Sequence, residues 1–241
     1  MKNQYFGDFN DYIKYSLIRN LSGEGDLRTS ICWLLTYDEE TTDGNKRKYL
    51  EQSNMWRAYD PVVFDFLSMT LEKRIKRNTQ LVEKSSLLPN IEFFNDLIED
   101  DAEKRELFFQ RFSQLSDASD LIFFDPDNGL EIKSVQKGKR NSSKYVFWDE
   151  VRTFYEKGHS IMIYQHFPRQ KRNKYIENVI EKADQILSPG NIITYSTPYV
   201  LFLLLIQLKH DNKLMINSKK IARSWEKVIK ITSRAEFNQD F

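Results

Sequence analysis

The residues best suited to chemistry lie in the segment 125–131, which reads Asp-Pro-Asp-Asn-Gly-Leu-Glu. This segment follows an apolar run at 120–124, and Pro126 ends that run because proline has no backbone N–H to donate. Loops at the carboxyl ends of parallel strands are where open α/β sheets bind their ligands, so Asp125 is predicted to lie at a ligand-binding edge. The candidate catalytic residues of this loop are Asp125, Pro126, Asp127 and Asn128.

The acidic residues of the same loop also allow a metal-binding interpretation. Asp125, Asp127 and Glu131 lie close together in sequence, and we expect their carboxylates to converge. Carboxylates at a strand end suit Mg²⁺, which keeps several of its waters. The reaction would then be metal-dependent hydrolysis of a phosphodiester, assisted by Lys133 or His166. The structural alternative is an Asx-type turn whose acids only cap the chain.

A second polar cluster follows the next predicted strand, at 159–166. His166 ends that strand and is a candidate catalytic proton carrier. Arg169 and Arg172 come next and could bind phosphate. Lys139 and Arg140 form another basic segment, in a loop at 138–144. Two basic segments that flank an acidic centre favour a polyanion as the partner, so these four cations are our candidate nucleic-acid-binding residues.

Strand and helix patterns alternate along the chain, as they do in α/β proteins. Apolar runs predict strands at 29–37, 91–94, 120–124, 159–166, 191–195 and 199–208, and helical spacing predicts helices at 11–21, 61–77, 102–115, 145–157, 171–187 and 218–229. This order predicts one α/β domain over 1–241, with an N-terminal helical element at about 1–28. We expect a mostly parallel sheet with helices on both faces and an antiparallel pair at its C-terminal end. The strands at 120–124 and 159–166 should be neighbours, because a strand–helix–strand unit returns beside its start.

The amino-acid composition indicates a folded, globular protein but does not indicate which molecule it binds. Hydrophobic residues make up 40% of the 241 residues, enough to bury a sizeable core. The net charge of +1 gives no evidence for or against nucleic acid, so only local clusters bear on it. The single cysteine, Cys32, excludes an intramolecular disulfide and is predicted to be a small buried hydrophobe. With no signal-like start, and with a longest apolar run that is about half the ~20 residues of a membrane span, we expect a cytoplasmic protein that does not enter a membrane.

Three segments also carry motifs in a recognisable order. Residues 7–15 read G-D-F-N-D-Y-I-K-Y, residues 120–128 end in D-P-D-N, and residues 160–169 form a strand that runs into Phe167-Pro168-Arg169. Together they resemble the class I S-adenosylmethionine-dependent methyltransferases that modify adenine in large-subunit ribosomal RNA. The corresponding patterns of that family are G-N-x-x-D-x-x-K-H, D-P-P-Y and W-Y-P-V-V-L-R.

The resemblance implies a Rossmann-like, methyltransferase-type sheet, S-adenosylmethionine as cofactor and methyl transfer to a base in nucleic acid. Asp125 and Pro126 would hold the exocyclic amine of that base. Because D-x-x-K on a helix presents both side chains on one face, the N-terminal helix is predicted to bring its acid and its lysine near the Asp125 loop. The implied cofactor-binding residues are Asp11, Lys14, Tyr37 and Asp38.

The sequence departs from the family pattern at two places. Asp127 and Asn128 stand where the family has Pro and Tyr, so a ring that stacks on the base would have to come from Tyr164 or Phe167. The segment 36–44 has one late glycine where a glycine-rich cofactor loop is expected. Three functions therefore stay open: a methyltransferase-like enzyme, a metal-dependent nuclease, and a non-catalytic relative that binds nucleic acid or protein.

Overall fold

The computed structural model describes residues 1–39 and 44–234. This part of the chain contains nine strands and eight α-helices. The strands are β1 (Thr29–Cys32), β2 (Ile91–Phe94), β3 (Leu121–Phe124), β4 (Gly129–Leu130), β5 (Tyr145–Val146), β6 (Ser160–His166), β7 (Asn191–Ser196), β8 (Val200–Ile206) and β9 (Lys230–Ser233). The helices are α1 (Phe9–Leu21), α2 (Ser53–Trp56), α3 (Pro61–Glu72), α4 (Gln80–Glu83), α5 (Ala102–Leu115), α6 (Trp148–Glu156), α7 (Arg172–Leu187) and α8 (Asp211–Trp225).

Seven of the strands form one mixed sheet in the order β2-β1-β3-β6-β8-β7-β9, while β4 and β5 pair separately. The first four strands in this order are parallel, whereas β8 is antiparallel to both of its neighbours and β9 is antiparallel to β7. The predicted α/β architecture is confirmed. The predicted adjacency of β3 and β6 is also confirmed, because Phe124 lies opposite Ile163 in a parallel pair.

The direction of strand addition changes beside β1. The chain passes from β1 to β2 on one side and then returns to β3 on the other side of β1. Such a change leaves a crevice at the carboxyl ends of the two diverging strands, and open α/β sheets bind ligands there. The loop that begins at Asp125 leaves β3 at this edge, as the sequence predicts.

Helices cover both faces of the sheet, so the sheet separates two hydrophobic cores. Alternation along β3 sends Phe123 into one core and its neighbours Ile122 and Phe124 into the other. The first core contains α1, α3 and α8, and the second contains α5, α6 and α7. Cys32 is fully buried in the second core, as predicted, and burial raises the pKa of its thiol. Within residues 1–39 and 44–234, the helices all lack the length and apolar character needed to cross a membrane.

Several observed elements begin or end away from their predicted bounds. Helix α1 begins at Phe9, because the Asp8 side chain accepts a hydrogen bond from the Asp11 N–H and caps the helix. The strand predicted at 29–37 stops at Cys32, since Leu34 has a φ of 44°, outside the range of an extended strand. The helix predicted to 77 ends at Glu72.

Two further differences are strands that the hydrophobic pattern did not predict. One lies inside a segment predicted to be helical, and the other follows a predicted helix. The helix predicted at 145–157 begins at Trp148, because its first residues form β5 and pair with β4. The helix predicted at 218–229 spans 211–225, and the chain continues into the edge strand β9. Strands of two and four residues are too short to show a clear alternation of apolar and polar side chains.

A buried ion pair joins α5 to the start of α6 and generates a stability prediction. Arg105 is 2% exposed and donates to both carboxylate oxygens of Glu150 at 2.6 and 2.9 Å, and it also donates to the carbonyls of Ser142 and Tyr145. We expect Arg105→Ala to lower the free energy of unfolding by about 3–5 kcal/mol, because the Glu150 charge is left buried without its partner. Urea denaturation measures this change.

Arg111 on the same helix provides the matched control. Its guanidinium is 60% exposed and pairs with Asp96 at 3.1 Å. Arg111→Ala should cost at most ~1 kcal/mol, as for most exposed ion pairs. Equal losses in the two variants would contradict the role assigned to Arg105.

Candidate functional site

A pocket of about 300 Å³ opens at the carboxyl edge of β3 and β6. Its volume lies at the lower end of the range for small-molecule sites. We call it the Asp125 pocket. It contains Asp11, Lys14, Asp125, Pro126, Asp127, Asn128, Tyr164 and His166 of the residues predicted from the sequence, together with Met1, Tyr5, Asp8, Asn10 and Lys46.

The centre of the pocket is a lysine held between two carboxylates. Lys14 Nζ lies 2.7 Å from Asp11 Oδ1 and 2.7 Å from Asp125 Oδ2. All three side chains are buried. Burial alone would lower the pKa of Lys14, but the charges of Asp11 and Asp125 outweigh it and hold the pKa above its ordinary value. The lysine is therefore charged at neutral pH, and the prediction that α1 places Asp11 and Lys14 near the Asp125 loop is confirmed.

Asp125 keeps one carboxylate oxygen available for a ligand. Its backbone N–H donates to the carbonyl of Cys32, which fixes the residue at the end of β3. Its Oδ2 is taken by Lys14, whereas Oδ1 accepts no hydrogen bond within the described part of the chain. Burial raises the pKa of Asp125 although Lys14 opposes that shift. The free oxygen can accept a hydrogen bond from an N–H group that enters the pocket.

Asp8 adds a carboxyl group whose proton affinity suits neutral pH. The side chain caps α1 by accepting from the Asp11 N–H at 3.0 Å, and the residue is 7% exposed. Burial, with the negative charge of Asp11 beside it, raises the pKa of Asp8 to about 7. A group with such a pKa can take up or release a proton at physiological pH, as a general acid or base must.

The three carboxylates of the 125–131 loop do not converge on one point, so that expectation is wrong, although Asp125 and Asp127 both line the pocket. Asp127 accepts from Thr36 Oγ1 at 2.9 Å, and its Oδ1 lies 2.8 Å from the amino group of Met1. Burial would raise the pKa of Asp127, but the Met1 amino group and Lys2 outweigh it and lower the pKa. Glu131 instead pairs with Lys182 of α7 at 3.2 Å.

Each of these acids is therefore neutralised by a different cation. Across residues 1–39 and 44–234, no group of three His, Cys, Asp or Glu side chains is placed to hold a metal ion. The Asp125, Asp127 and Glu131 metal site of the nuclease interpretation has no counterpart in this geometry.

Gly129 and Gln165 fix the shape of the loop. Gly129 has a φ of 120°, and a Cβ at this position would collide with the side chain of Gln165. That side chain accepts from the Leu130 N–H at 2.7 Å and donates to the Asn128 carbonyl at 3.0 Å. Glycine is required here both for the backbone conformation and for the close approach. The loop after β3 is thereby tied to the end of β6.

Tyr164 and His166 form the wall of the pocket that β6 contributes. The Tyr164 ring lies 5.2 Å from Lys14 Nζ, and its hydroxyl is 2.9 Å from His166 Nε2. Desolvation at the pocket wall, together with the charges of Lys46 and Lys14, lowers the pKa of His166 to about 4. The imidazole is thus neutral at pH 7 and can accept a proton only from a stronger acid.

The other predicted residues lie outside the Asp125 pocket. Tyr37 is 72% exposed, and Asp38 accepts a hydrogen bond from the backbone of Gln4. The segment 36–44, expected to form the cofactor loop, lies partly outside the described residues. Arg169 and Arg172 line a neighbouring groove, whereas Lys139 and Arg140 belong to a turn whose backbone is bound by Asp100.

Sequence reasoning missed Asp8, Tyr5 and Lys46 as pocket residues. Asp8 lies inside the 7–15 motif and could have been included, because a helix-capping position next to D-x-x-K must lie near both. Lys46 lies in an irregular polar segment. No periodic pattern there indicates which way its side chain points. Tyr5 lies in a 3-10 turn before α1 and likewise shows no pattern.

A Ser-His-Asp chain at the opposite end of β6 is structural. Ser160 Oγ lies 2.9 Å from His210 Nδ1, and His210 Nε2 lies 3.4 Å from Asp120. Ser160 is fully buried and also accepts from the Gln207 N–H at 3.0 Å. A hydroxyl enclosed in this way cannot reach a substrate, so this chain joins β6 to the start of α8.

The raised pKa of Asp8 predicts how stability depends on pH. The folded state binds this proton more tightly than the unfolded state, so the contribution of Asp8 to stability is lost as pH rises from ~4 to about 7. Asp8→Asn keeps a helix-capping oxygen and removes the charge. We expect its melting temperature to exceed that of the wild type by several degrees at pH 8, since 1 kcal/mol corresponds to roughly 2–4 °C at this size.

The advantage of Asp8→Asn should shrink steadily between pH 8 and pH 4. Asp101→Asn is the control, because Asp101 caps α5 in the same way but is exposed. Calorimetric melting at each pH gives the comparison. A constant difference between Asp8→Asn and wild type at all pH values would show that the Asp8 carboxyl is not perturbed.

Comparison with known proteins identifies no family, because no family model, no curated protein and no solved structure matches the chain. The function must therefore be argued from the Asp125 pocket and its surroundings.

Proposed function

We propose that the chain is a nucleic-acid-modifying enzyme with a methyltransferase-like fold, which transfers a methyl group to the exocyclic amine of a base. The observation that carries this proposal is the assembly of one pocket from all three segments of the resemblance. Lys14 and Asp125 are 111 residues apart in the chain and 2.7 Å apart in space. Tyr164 and His166, from the third segment, line the same pocket.

In this proposal each residue around Asp125 has a distinct task. The free Oδ1 of Asp125 would accept a hydrogen bond from the amine, and Lys14 would hold the other oxygen so that the carboxylate cannot rotate. In a buried site such preorganised groups contribute more than they would in water, because they need no rearrangement during the reaction. Tyr164 offers the aromatic side chain that Asn128 does not supply.

The acidic residues of the pocket fit the methyl donor that the family resemblance implies. S-adenosylmethionine carries a cationic sulfonium and an ammonium group, and it would supply the methyl group when bound. Asp8 and Asp11 are the acids that would hold its ammonium end. Burial and the negative charge of Asp11 raise the pKa of Asp8, so a cationic ligand beside it would favour its ionised form.

A second candidate, a non-catalytic nucleic-acid-binding relative, is favoured by one observation. The amino group of Met1 donates to the carbonyls of Leu34 and Asp125 at 3.1 and 2.9 Å. Met1 therefore lies across the ends of β1 and β3, in the crevice where sheets of this kind bind cofactors. In that candidate the pocket would bind a base without transferring a methyl group.

Methyl transfer can be measured with labelled S-adenosylmethionine and RNA or DNA as acceptor. We expect Asp125→Asn to lower the rate by roughly 10²–10³, the usual loss when a preorganised hydrogen-bonding group is removed from a buried site. The dissociation constant for S-adenosylmethionine should change by less than about threefold, since the amine contact acts at the reacting centre. Melting temperatures must be compared, because Asp125→Asn also removes a partner of Lys14.

Glu131→Gln is the control, since Glu131 lies outside the pocket and pairs with Lys182. It should retain the wild-type rate. Calorimetry that detects nucleic-acid binding but no S-adenosylmethionine binding would reject the enzyme and favour the second candidate. A folded Asp125→Asn variant with unchanged activity would remove Asp125 from the reaction.

A further inference from the structure

A cationic groove of about 760 Å³ adjoins the Asp125 pocket and shares Lys46 and His166 with it. The groove lies between the segment that follows β6 and the turn that joins β7 to β8. We call it the Arg169 groove. Its four cations are Lys46, Arg169, Lys171 and Arg172.

These four cations differ from most charged groups nearby, because none of them forms an ion pair with a carboxylate of residues 1–39 or 44–234. Farther along α7, by contrast, Lys174 pairs with Glu177 and Lys182 pairs with Glu131. Cations that line one groove without carboxylate partners among the described residues attract a polyanion. The phosphates of a nucleic acid strand are spaced to meet several such cations in succession.

An exposed aromatic side chain stands at the edge of the same groove. The Tyr199 ring is 55% exposed, and Lys46 Nζ lies 4.2 Å from its centroid. Its backbone is fixed at the hairpin tip, because Thr197 Oγ1 accepts from the N–H groups of Tyr199 and Val200 at 3.1 Å each. The Tyr199 carbonyl also accepts from the Phe167 N–H at 3.3 Å. Tyr199 therefore presents an exposed aromatic ring, on a fixed backbone, beside a row of cations.

We infer that the Arg169 groove binds single-stranded nucleic acid on one side of the base that enters the Asp125 pocket. The inference rests on the proposed function and names its substrate class. Arg169 and Arg172 contact phosphates of the flanking nucleotides, and an adjacent base stacks on Tyr199. An aromatic platform contributes affinity only when bases are unpaired, whereas cations alone bind single strands and duplexes alike.

Fluorescence anisotropy with a labelled single-stranded RNA, and with a duplex of the same sequence, tests this inference. We expect the single strand to bind at least tenfold more tightly than the duplex. Tyr199→Leu should weaken single-strand binding by roughly 5- to 150-fold, the range for loss of one stacked base, and leave duplex binding unchanged. Arg169→Ala combined with Arg172→Ala should reduce the slope of log affinity against log salt by roughly 1.4, because two phosphate contacts are lost.

The matched control is Lys219→Ala combined with Lys220→Ala, which removes the same charge from two exposed residues of α8 outside the groove. It should leave affinity and salt slope within about twofold of the wild type. Three results would each overturn the inference. The control variant could weaken single-strand binding as much as the groove variant does, the duplex could bind as tightly as the single strand, or Tyr199→Leu could leave single-strand affinity unchanged. Competition by polyglutamate as strong as that by unlabelled RNA would also overturn it, since an acidic protein would then be the partner.

Strand binding and methyl transfer measured on the wild type, with Tyr199→Leu beside it, separate this inference from the proposed function. Tight and selective single-strand binding by a wild-type protein that transfers no methyl group would contradict the proposed function alone. Methyl transfer by the wild type, with single-strand affinity unchanged in Tyr199→Leu, would contradict the assignment of the strand to the groove alone.

Discussion

A buried lysine between two buried aspartates is the interaction on which the candidate site depends. An ammonium and a carboxylate that leave water lose several kcal/mol of solvation each, and only close contact with good hydrogen bonds compensates for that loss. Lys14 meets this requirement by contacting Asp11 within its own helix and Asp125 on the loop after β3. Because Asp11 also accepts from the Gly7 N–H and from Tyr15, the start of α1 is drawn into the same network. The pocket can form only when α1 is docked on the sheet.

Charge divides the carboxyl edge of the sheet into two regions. The Asp125 pocket combines acids with a single enclosed lysine, whereas the Arg169 groove contains cations without carboxylate partners among the described residues. A ligand that spans both would place a neutral or cationic group in the pocket and anionic groups in the groove. A base with its flanking phosphates has this distribution, so under the proposed function a chain of net charge +1 would bind a polyanion through one local group of cations.

The sequence predicted the parts of the structure that depend on local patterns. The bounds of β2 and α5 agree with the predicted ones, because each is an apolar or amphipathic segment with clear ends. The neighbouring positions of β3 and β6 follow from the strand–helix–strand rule. The D-x-x-K spacing places Asp11 and Lys14 on one face of α1, and the family resemblance implied that this face approaches Asp125.

The directions of individual side chains depend on distant partners and could not be predicted. Three nearby acids suggested one cluster, yet Asp127 turns toward Thr36 and Glu131 turns toward Lys182 of α7. Lys46 reaches both the pocket and the groove from a segment without periodic pattern. The strands β4, β5 and β9 exist because a partner strand supplies hydrogen bonds, which a short run of residues does not reveal.

A double-mutant cycle between Lys14→Met and Asp125→Asn tests most directly whether the buried ion pair assembles the site. The free energies of unfolding of the wild type, the two single variants and the double variant are measured by urea denaturation at pH 7. The account predicts that Lys14→Met loses about 3–5 kcal/mol, because it leaves two buried carboxylates without a cation. Asp125→Asn should lose less, because Lys14 keeps Asp11 as its partner. The double variant should lose at least ~1.5 kcal/mol less than the sum of the two, as coupled neighbours do. Losses that add to within ~0.5 kcal/mol would contradict the account, because the two residues would then act independently.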